Sequence, residues 1–336
     1  FFVRSVRAIT KQRVAANLRT TKPTTSFNKH KWTPWAYMAP ALLTVFFWAY
    51  FPLVRGLVMA FQDYRILKGS RFVGLDNFIE AATQRTFWLG IAHSVEYVVL
   101  TIGIGFCLPI VLALFLSEIP RGKVLFRTAY YLPAVTSGIV ILFLWKEFYD
   151  PTQAGLINQL LGFASSGINT ITGWIGMSPH LSTTYKLDWL GNPTTAMLAV
   201  VIPGIWAGAG PGSIIYLAAL TTVPEDVYEA ADLDGASIWT KIRMITIPTL
   251  RPLIIINLVG AFIGSFKAME NIFVMTGGGP LYRTHVIGLE VWYNAFMYLK
   301  FGYATAAAWI MGSMLIGFTL YQLRLLKNMR FSASGG

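Results

Sequence analysis

Only one group of polar residues in this chain keeps an ordered spacing. Glu229-Ala230-Ala231 is followed after three residues by Gly235, after nine more by Ile245, and one residue later by Ile247-Pro248. A carboxylate beside two small side chains and a turn-permitting glycine suits recognition rather than reaction. The alanines let another protein approach closely, Glu229 offers a charge to a basic partner, and Gly235 permits a tight turn or a close backbone approach. Catalytic groupings are missing from the sequence. No GxxxxGK followed by Ser or Thr is present, so there is no phosphate cradle for ATP hydrolysis. His30, His93, His180 and His285 are scattered without metal-ligand spacing, and the single cysteine, Cys107, can form no internal disulfide.

A second set of polar residues lies inside apolar stretches, where ionisable groups are costly and count as functional candidates. Arg55 sits near the end of one such stretch and reads as a snorkelling side chain. Glu96, with His93 and Tyr97 nearby, either lines a path or pairs within a helix bundle. Lys267 and Glu270 are three residues apart, so on a helix they would share one face and neutralise each other. Ser265 and Asn271 beside them could hydrogen-bond hydroxyl groups. Trp206-Ala207-Gly208-Ala209-Gly210-Pro211-Gly212 suggests either a broken helix lining a cavity or close helix packing through small residues.

The elements that position these residues follow from composition. The chain has 336 residues, 55% hydrophobic and only 12% charged, with mean hydropathy +0.55. A soluble domain carries roughly 25% charged residues, so this is a membrane protein. Six segments meet the length of about 20 apolar residues needed to cross a bilayer: 36–61, 91–116, 129–149, 195–220, 251–275 and 303–326. The expected fold class is therefore an all-α integral membrane protein with six transmembrane helices.

Net charge is +12 and unevenly placed. Residues 1–35 hold Arg4, Arg7, Lys11, Arg13, Arg19, Lys22, Lys29 and Lys31 without an acid. Beside a long apolar span this reads as a cytoplasmic anchor next to anionic lipid, not as a nucleic-acid site. The acid-free start also resembles an organellar transit peptide. With the N-terminus inside, the basic inner stretches 1–35, 117–128 and 324–330 carry fourteen Lys and Arg, with Lys241 and Arg243 in the loop 221–250. The outer stretches 62–90, 150–194 and 276–302 carry seven. The bias places both termini in the cytoplasm. The long, glycine-rich outer stretch 150–194 is expected to form a cap carrying short helices.

The spaced group falls in the inner loop 221–250. Thr222-Val223-Pro224-Glu225 has capping-box spacing, with Pro in the first turn and Asp226 and Glu229 at the positive end of the helix. Ile238, Trp239, Ile242 and Ile245 recur at helical spacing after Gly235, and Pro248 punctuates the start of the next span. The loop is expected to be a helix-turn-helix hairpin. It would either hold a partner or rest on the headgroups.

This loop resembles the EAA motif of bacterial ABC importer permeases, with Ile247 where Leu is usual. The resemblance implies the type I importer permease fold and a hairpin acting as a coupling helix that inserts into a cytoplasmic ATPase subunit. Glu229, Ala230, Ala231, Gly235, Ile245 and Pro248 are the coupling residues it implies. Phe72-Val73-Gly74-Leu75-Asp76-Asn77-Phe78, Phe126-Arg127 with Leu132-Pro133, Thr276-Gly277-Gly278-Gly279-Pro280 and Phe301-Gly302-Tyr303-Ala304 resemble the sugar-importing branch, the type of the maltose and glycerol-phosphate permeases. The likeness spans residues 36–328, leaving the basic segment 1–35, the enlarged 150–190 loop and the tail 329–336 outside it.

In the maltose-type subunit the stretches matching Trp206, Gly208 and Ser265 contribute to the solute site. Ala261 and Ala268 are apolar here, which implies rearranged contacts. Glu96, Glu270 and Asn271 complete the expected substrate path. The resemblance implies a permease subunit without its own ATPase site or cofactor, in a bacterial inner membrane. Its partners would be a second permease, two ATPase subunits holding ATP and Mg, an extracytoplasmic solute-binding protein and membrane lipid, with no nucleic acid. A non-sugar solute such as a phosphate ester or amino acid, or a non-transporting scaffold, are the alternative readings.

Overall fold

The computed structural model describes residues 33–66, 69–119, 122–175 and 181–333. Residues 1–32 of the basic segment and 334–336 of the tail lie outside the described residues. Apolar sequence forms helix here because a bilayer offers no water to unpaired backbone groups. Among the described residues, five helical stretches are long and apolar enough to cross a membrane: Pro34–Ala60, Arg85–Glu118, Ala196–Leu220, Ile238–Phe266 and Phe301–Arg324. The expected span 129–149 is a bent pair, Val124–Val135 and Gly138–Phe148, meeting at 97°. Counted as one broken span, it brings the number to six. The only strands among the described residues are two-residue segments, β1 (Gln62–Asp63) and β2 (Arg71–Phe72), paired antiparallel.

The chain divides at Val58 into two units. In the first, α1 (Thr33–Val45) leads through a π turn at Phe46–Tyr50 into α2 (Phe51–Ala60). Pro52 accounts for the turn. Proline has no N–H to donate, and just before it the pairing slips by one residue, so that the Phe51 N–H reaches the Phe46 carbonyl.

The second unit begins at Met59. Its helices in order are α3 (Asp76–Thr83), α4 (Arg85–Gly105), α5 (Leu108–Glu118), α6 (Lys123–Val135), α7 (Gly138–Phe148), α8 (Leu156–Trp174) and α9 (Ala196–Leu220). They continue with α10 (Glu225–Leu233), α11 (Ile238–Lys241), α12 (Ile247–Phe266), α13 (Glu270–Met275), α14 (Ile287–Trp292) and α15 (Phe301–Ala333). Helix α9 is the hub, packing on α4, α5, α6 and α12. It is continuous, so the broken-helix expectation fails, and Gly210 and Gly212 serve close packing. At Gly210 an added Cβ would clash with the Tyr130 carbonyl of α6, and at Gly212 it would press on Pro109 at 3.0 Å. Without a hydrophobic force between helices in lipid, such close approach supplies the attraction.

The breaks occur in other spans. Between α6 and α7, Thr136 turns its hydroxyl onto the Leu132 carbonyl (2.9 Å) and Ser137 is extended before Gly138. The expected span 251–275 stops at Phe266. Ala268 N–H tightens onto the Ser265 carbonyl (3.1 Å), and Glu270 starts α13 with its carboxylate in the first turn. Lys267 and Glu270 thus flank a break instead of sharing a helix face, and no ion pair joins them. The expected cap of short helices is one 19-residue helix, α8.

Two of the quoted sequence signatures meet each other. Asn77 donates to the carbonyls of Ala60 (2.9 Å) and Gln62 (3.0 Å). Gly302 leaves no room for a Cβ against Gln62 and Asn77, and Tyr64 meets Phe301 edge-on at 5.9 Å. The stretches 72–78 and 301–304 are therefore two sides of one contact.

Candidate functional site

The hairpin is built as two helical arms around Gly235. Helix α10 starts at Glu225 with Pro224 before it. The capping box is not made, because the Thr222 hydroxyl donates back to the Ala219 carbonyl at the end of α9 (2.7 Å). Gly235 has φ +72°, a left-handed conformation that costs a side-chain-bearing residue about 1–2 kcal/mol. Nothing stands within 4 Å of the position a Cβ would take, so the glycine serves the turn and not a close approach. The Ala236 N–H reaches the Ala231 carbonyl (2.9 Å), closing a Schellman end. Ser237 caps α11 through the Thr240 N–H at 3.3 Å.

Cross-links hold the arms together. Lys241 pairs with Asp232 at 2.5 Å, and the Tyr228 hydroxyl lies 3.4 Å from that of Thr246. The second arm continues unbroken into the fifth span. Pro248 does not punctuate that span but sits inside it, two residues beyond a π turn at Ile242–Thr246, where the Ile247 N–H reaches the Ile242 carbonyl. The turn absorbs the proline as the one before Pro52 does. Ile245 lies in this turn, half-buried.

No residue of α10 is buried. Glu229 and Ala230 are exposed, as are Leu233 (90%), Ile238 and Trp239 (76%), while Ile242 and Ile245 turn inward. Glu229 forms no ion pair among the described residues. A rigid, internally braced hairpin thus presents small and apolar side chains around an unpaired carboxylate.

Three of the expected substrate-path residues, Gly208, Glu270 and Asn271, line two cavities that share Gly204. The first, about 240 Å³, is bounded by α4, α5, α9 and α12, and Gly208 lines it with Thr101, Tyr216, Asn257 and Ala261. The second, about 290 Å³, holds Glu270 and Asn271 with Tyr97, Gly138 and Ala207. Asn271 donates to the Tyr97 hydroxyl (2.6 Å) and the Val200 carbonyl (3.2 Å). Trp206 and Ser265 line neither cavity. Trp206 is half-exposed and meets Trp145 edge-on at 5.9 Å. Asn257 and Tyr97, absent from the expected site, lie in spans where only contact with the small residues of α9 reveals them.

Glu96 resolves as a pairing residue. Arg283 grips it through two N–H groups, one at 2.7 Å. This ties the loop 277–285 to α4, helped by His93 Nδ1 on the His285 carbonyl (3.1 Å) and Ser94 accepting from the Ile287 N–H (3.0 Å). Beside it lies a cleft of about 690 Å³ floored by Glu290. His285 Nε2 approaches the Glu290 carboxylate at 2.7 Å, and Thr86, Asn294 and Tyr303 also donate to it. Burial pushes the Glu290 carboxyl up, but the His285 hydrogen bond and charge, with Thr86 and Tyr303, hold it below the usual range.

Residues 105–330 match the family described as binding-protein-dependent transport system inner membrane component. The chain belongs to that family. It is a multi-pass inner membrane permease component, and the hairpin and both cavities fall wholly or largely within the matched region. The arabinooligosaccharides transport permease AraP of Halalkalibacterium halodurans is 32% identical over 76% of this chain and 75% of its own. The trehalose/maltose permease MalF of Thermococcus litoralis is 28% identical over 79% of this chain and 83% of its own. A bacterial ABC transporter importing alginate shares the fold, with TM-score 0.72, 24% identity, and coverage of 89% of this permease and 96% of that chain. A second structure of the bacterial alginate transporter, in complex with a pentasaccharide-bound periplasmic protein, matches with TM-score 0.72 and 25% identity.

Proposed function

We propose that this chain is the permease subunit of an ABC importer for a mono- or oligosaccharide, driven through its hairpin by cytoplasmic ATPase subunits. One observation carries the coupling: the hairpin is braced internally and rigidly continuous with the fifth span, yet leaves the Glu229 face unpartnered. A protein docked there would move α12 as a lever, and α12 borders the cavity containing Gly208 and Asn257. The alternation of inward and outward access would follow from that movement.

Sugar as the solute is supported by the relatives that carry arabinooligosaccharides and trehalose or maltose. It is supported also by the polar groups of the path, the Asn271 amide, the Asn257 amide and the Tyr97 hydroxyl, beside the one carboxylate of Glu270. A second, homologous permease would complete the path, a solute-binding protein would deliver to the outer face, and both termini of this chain would be cytoplasmic.

Site-directed cross-linking tests the docking. Ala230→Cys, in a Cys107→Ser background, should cross-link to the ATPase subunit in native membranes, whereas a cysteine at Thr194, at the opposite end of α9, should not. Equal labelling of both positions, or none at Ala230, would overturn the assignment.

A further inference from the structure

Helix α8 is amphipathic in the sense opposite to a helix that faces water. Asn158, Gly162 and Ser165 point inward and are buried, with Asn169 and Thr172 half-buried beside them, while Gln159, Ser166 and Thr170 form an exposed polar flank. Asn158 Nδ2 donates to the carbonyls of Asp150 (3.1 Å), Thr152 (3.1 Å) and Leu187 (3.2 Å). Its Oδ1 accepts from the Leu187 N–H and from Trp189 Nε1 (3.2 Å). Ser165 bonds the Tyr185 hydroxyl at 2.8 Å, and Asn169 donates to the Leu181 carbonyl at 2.8 Å. The inward polar residues are therefore consumed by the segments on either side of the helix.

The opposite face is apolar and open. Leu156, Leu160, Phe163, Ile171 and Trp174 fall on one stripe at helical spacing, with Gly167 between them. Phe163 is 82% and Trp174 84% exposed, and Ile168 and Ile175 widen the stripe. No charged residue occurs from 156 to 175.

Three observations identify what covers it. The first turn of α8 is tied by Asn158 to Asp150 and Thr152, just beyond the end of α7 at Phe148, so the helix begins where the third span leaves the membrane. Helix α7 touches α8 and exposes its own apolar side chains Ile139, Val140, Phe143 and Leu144, which leads a lipid-facing surface towards the stripe. The absence of charge gives a soluble partner nothing to orient it. A helix about 28 Å long, apolar along one whole side and ending in Trp, fits the boundary between headgroups and acyl chains.

We propose that α8 lies in the lipid–water interface, its stripe Leu156–Trp174 sunk into the acyl boundary, at the end of the molecule opposite the hairpin. The bilayer then anchors the cap, and the loop 181–189 is held above it. Because α8 carries no basic residue, the anchoring relies on apolar contact alone and needs no anionic lipid. This holds whatever solute the permease carries.

The test uses the full transporter complex in phosphatidylcholine vesicles, with Cys107→Ser removing the native thiol. An environment-sensitive fluorophore is placed on Phe163→Cys, with Trp174→Cys as a second stripe position and Ser166→Cys on the polar flank. Chain-brominated phosphatidylcholine should quench the two stripe probes at least twofold and leave the Ser166 probe nearly unchanged. Stripe probes that emit as in water and escape quenching overturn the proposal. So do stripe probes that become shielded only when the solute-binding protein is added, which would make the stripe a protein interface.

Discussion

At the scale of single residues, the path depends on a few polar groups whose partners are fixed. Asn271 satisfies both Tyr97 and a backbone carbonyl of α9, and leaving such groups buried without a partner costs about 1–3 kcal/mol. Asn271→Leu should therefore change the concentration dependence of uptake several-fold while the chain still inserts, as measured by transport kinetics beside immunodetection in membranes. Glu290 gives a pH prediction. Its folded carboxyl lies below the ordinary value of 4.5. Between the two values the unfolded chain binds more protons, so the stabilisation is complete above pH 4.5 and is lost as pH falls below it. Thermal unfolding of the solubilised protein should be flat with respect to Glu290 from pH 7 to 5 and fall below that. Glu290→Gln should be destabilised near neutral pH and lose much of the acid-side slope. Identical slopes for both proteins would contradict the assignment.

At the scale of elements, two glycines two residues apart on α9 are expected to respond differently. Gly210 packs directly on the Tyr130 backbone, whereas nothing stands within 4 Å of a Cβ at Gly208, which faces the cavity. Gly210→Ala should cost stability measurably because backbone must move to accept it. Gly208→Ala should leave the melting temperature within a degree or two and act on transport alone. Similar melting losses for both would contradict the packing account. The elements also show what periodicity could and could not reveal. The span of α9 was legible almost to the residue, and the membrane-length part of α15, Phe301–Arg324, to within two residues at each end. The interruptions were not, because Pro and Gly proved tolerable where neighbouring helices satisfy the backbone. The true break at Lys267–Met269 carries no helix-breaking residue, and at Thr136-Ser137 such residues, Pro133 and Gly138, stand only on the flanks. Pro248 looked like a boundary, yet a π turn absorbs it, as another does before Pro52. The inward pattern of α8 was hidden because the loop partners of Asn158, Ser165 and Asn169 lie 12 to 31 residues downstream.

For the whole molecule, a spaced motif with local geometry was readable from sequence, while pairings between distant residues were not. Gly235 declares its turn by type and position. By contrast, the Arg283–Glu96 grip and the Asn77–Gly302 contact join residues some 190 and 225 positions apart, and only the fold brings them together. The assembled picture is a lever: a braced hairpin at one end, a continuous fifth span, and a cavity between α4, α5, α9 and α12. The measurement that tests this most directly is the ratio of solute uptake to ATP hydrolysis in proteoliposomes holding the complete transporter. Glu229→Lys and Gly235→Val should each lower that ratio at least tenfold with the complex still assembled. An unchanged ratio in both hairpin variants would contradict the account.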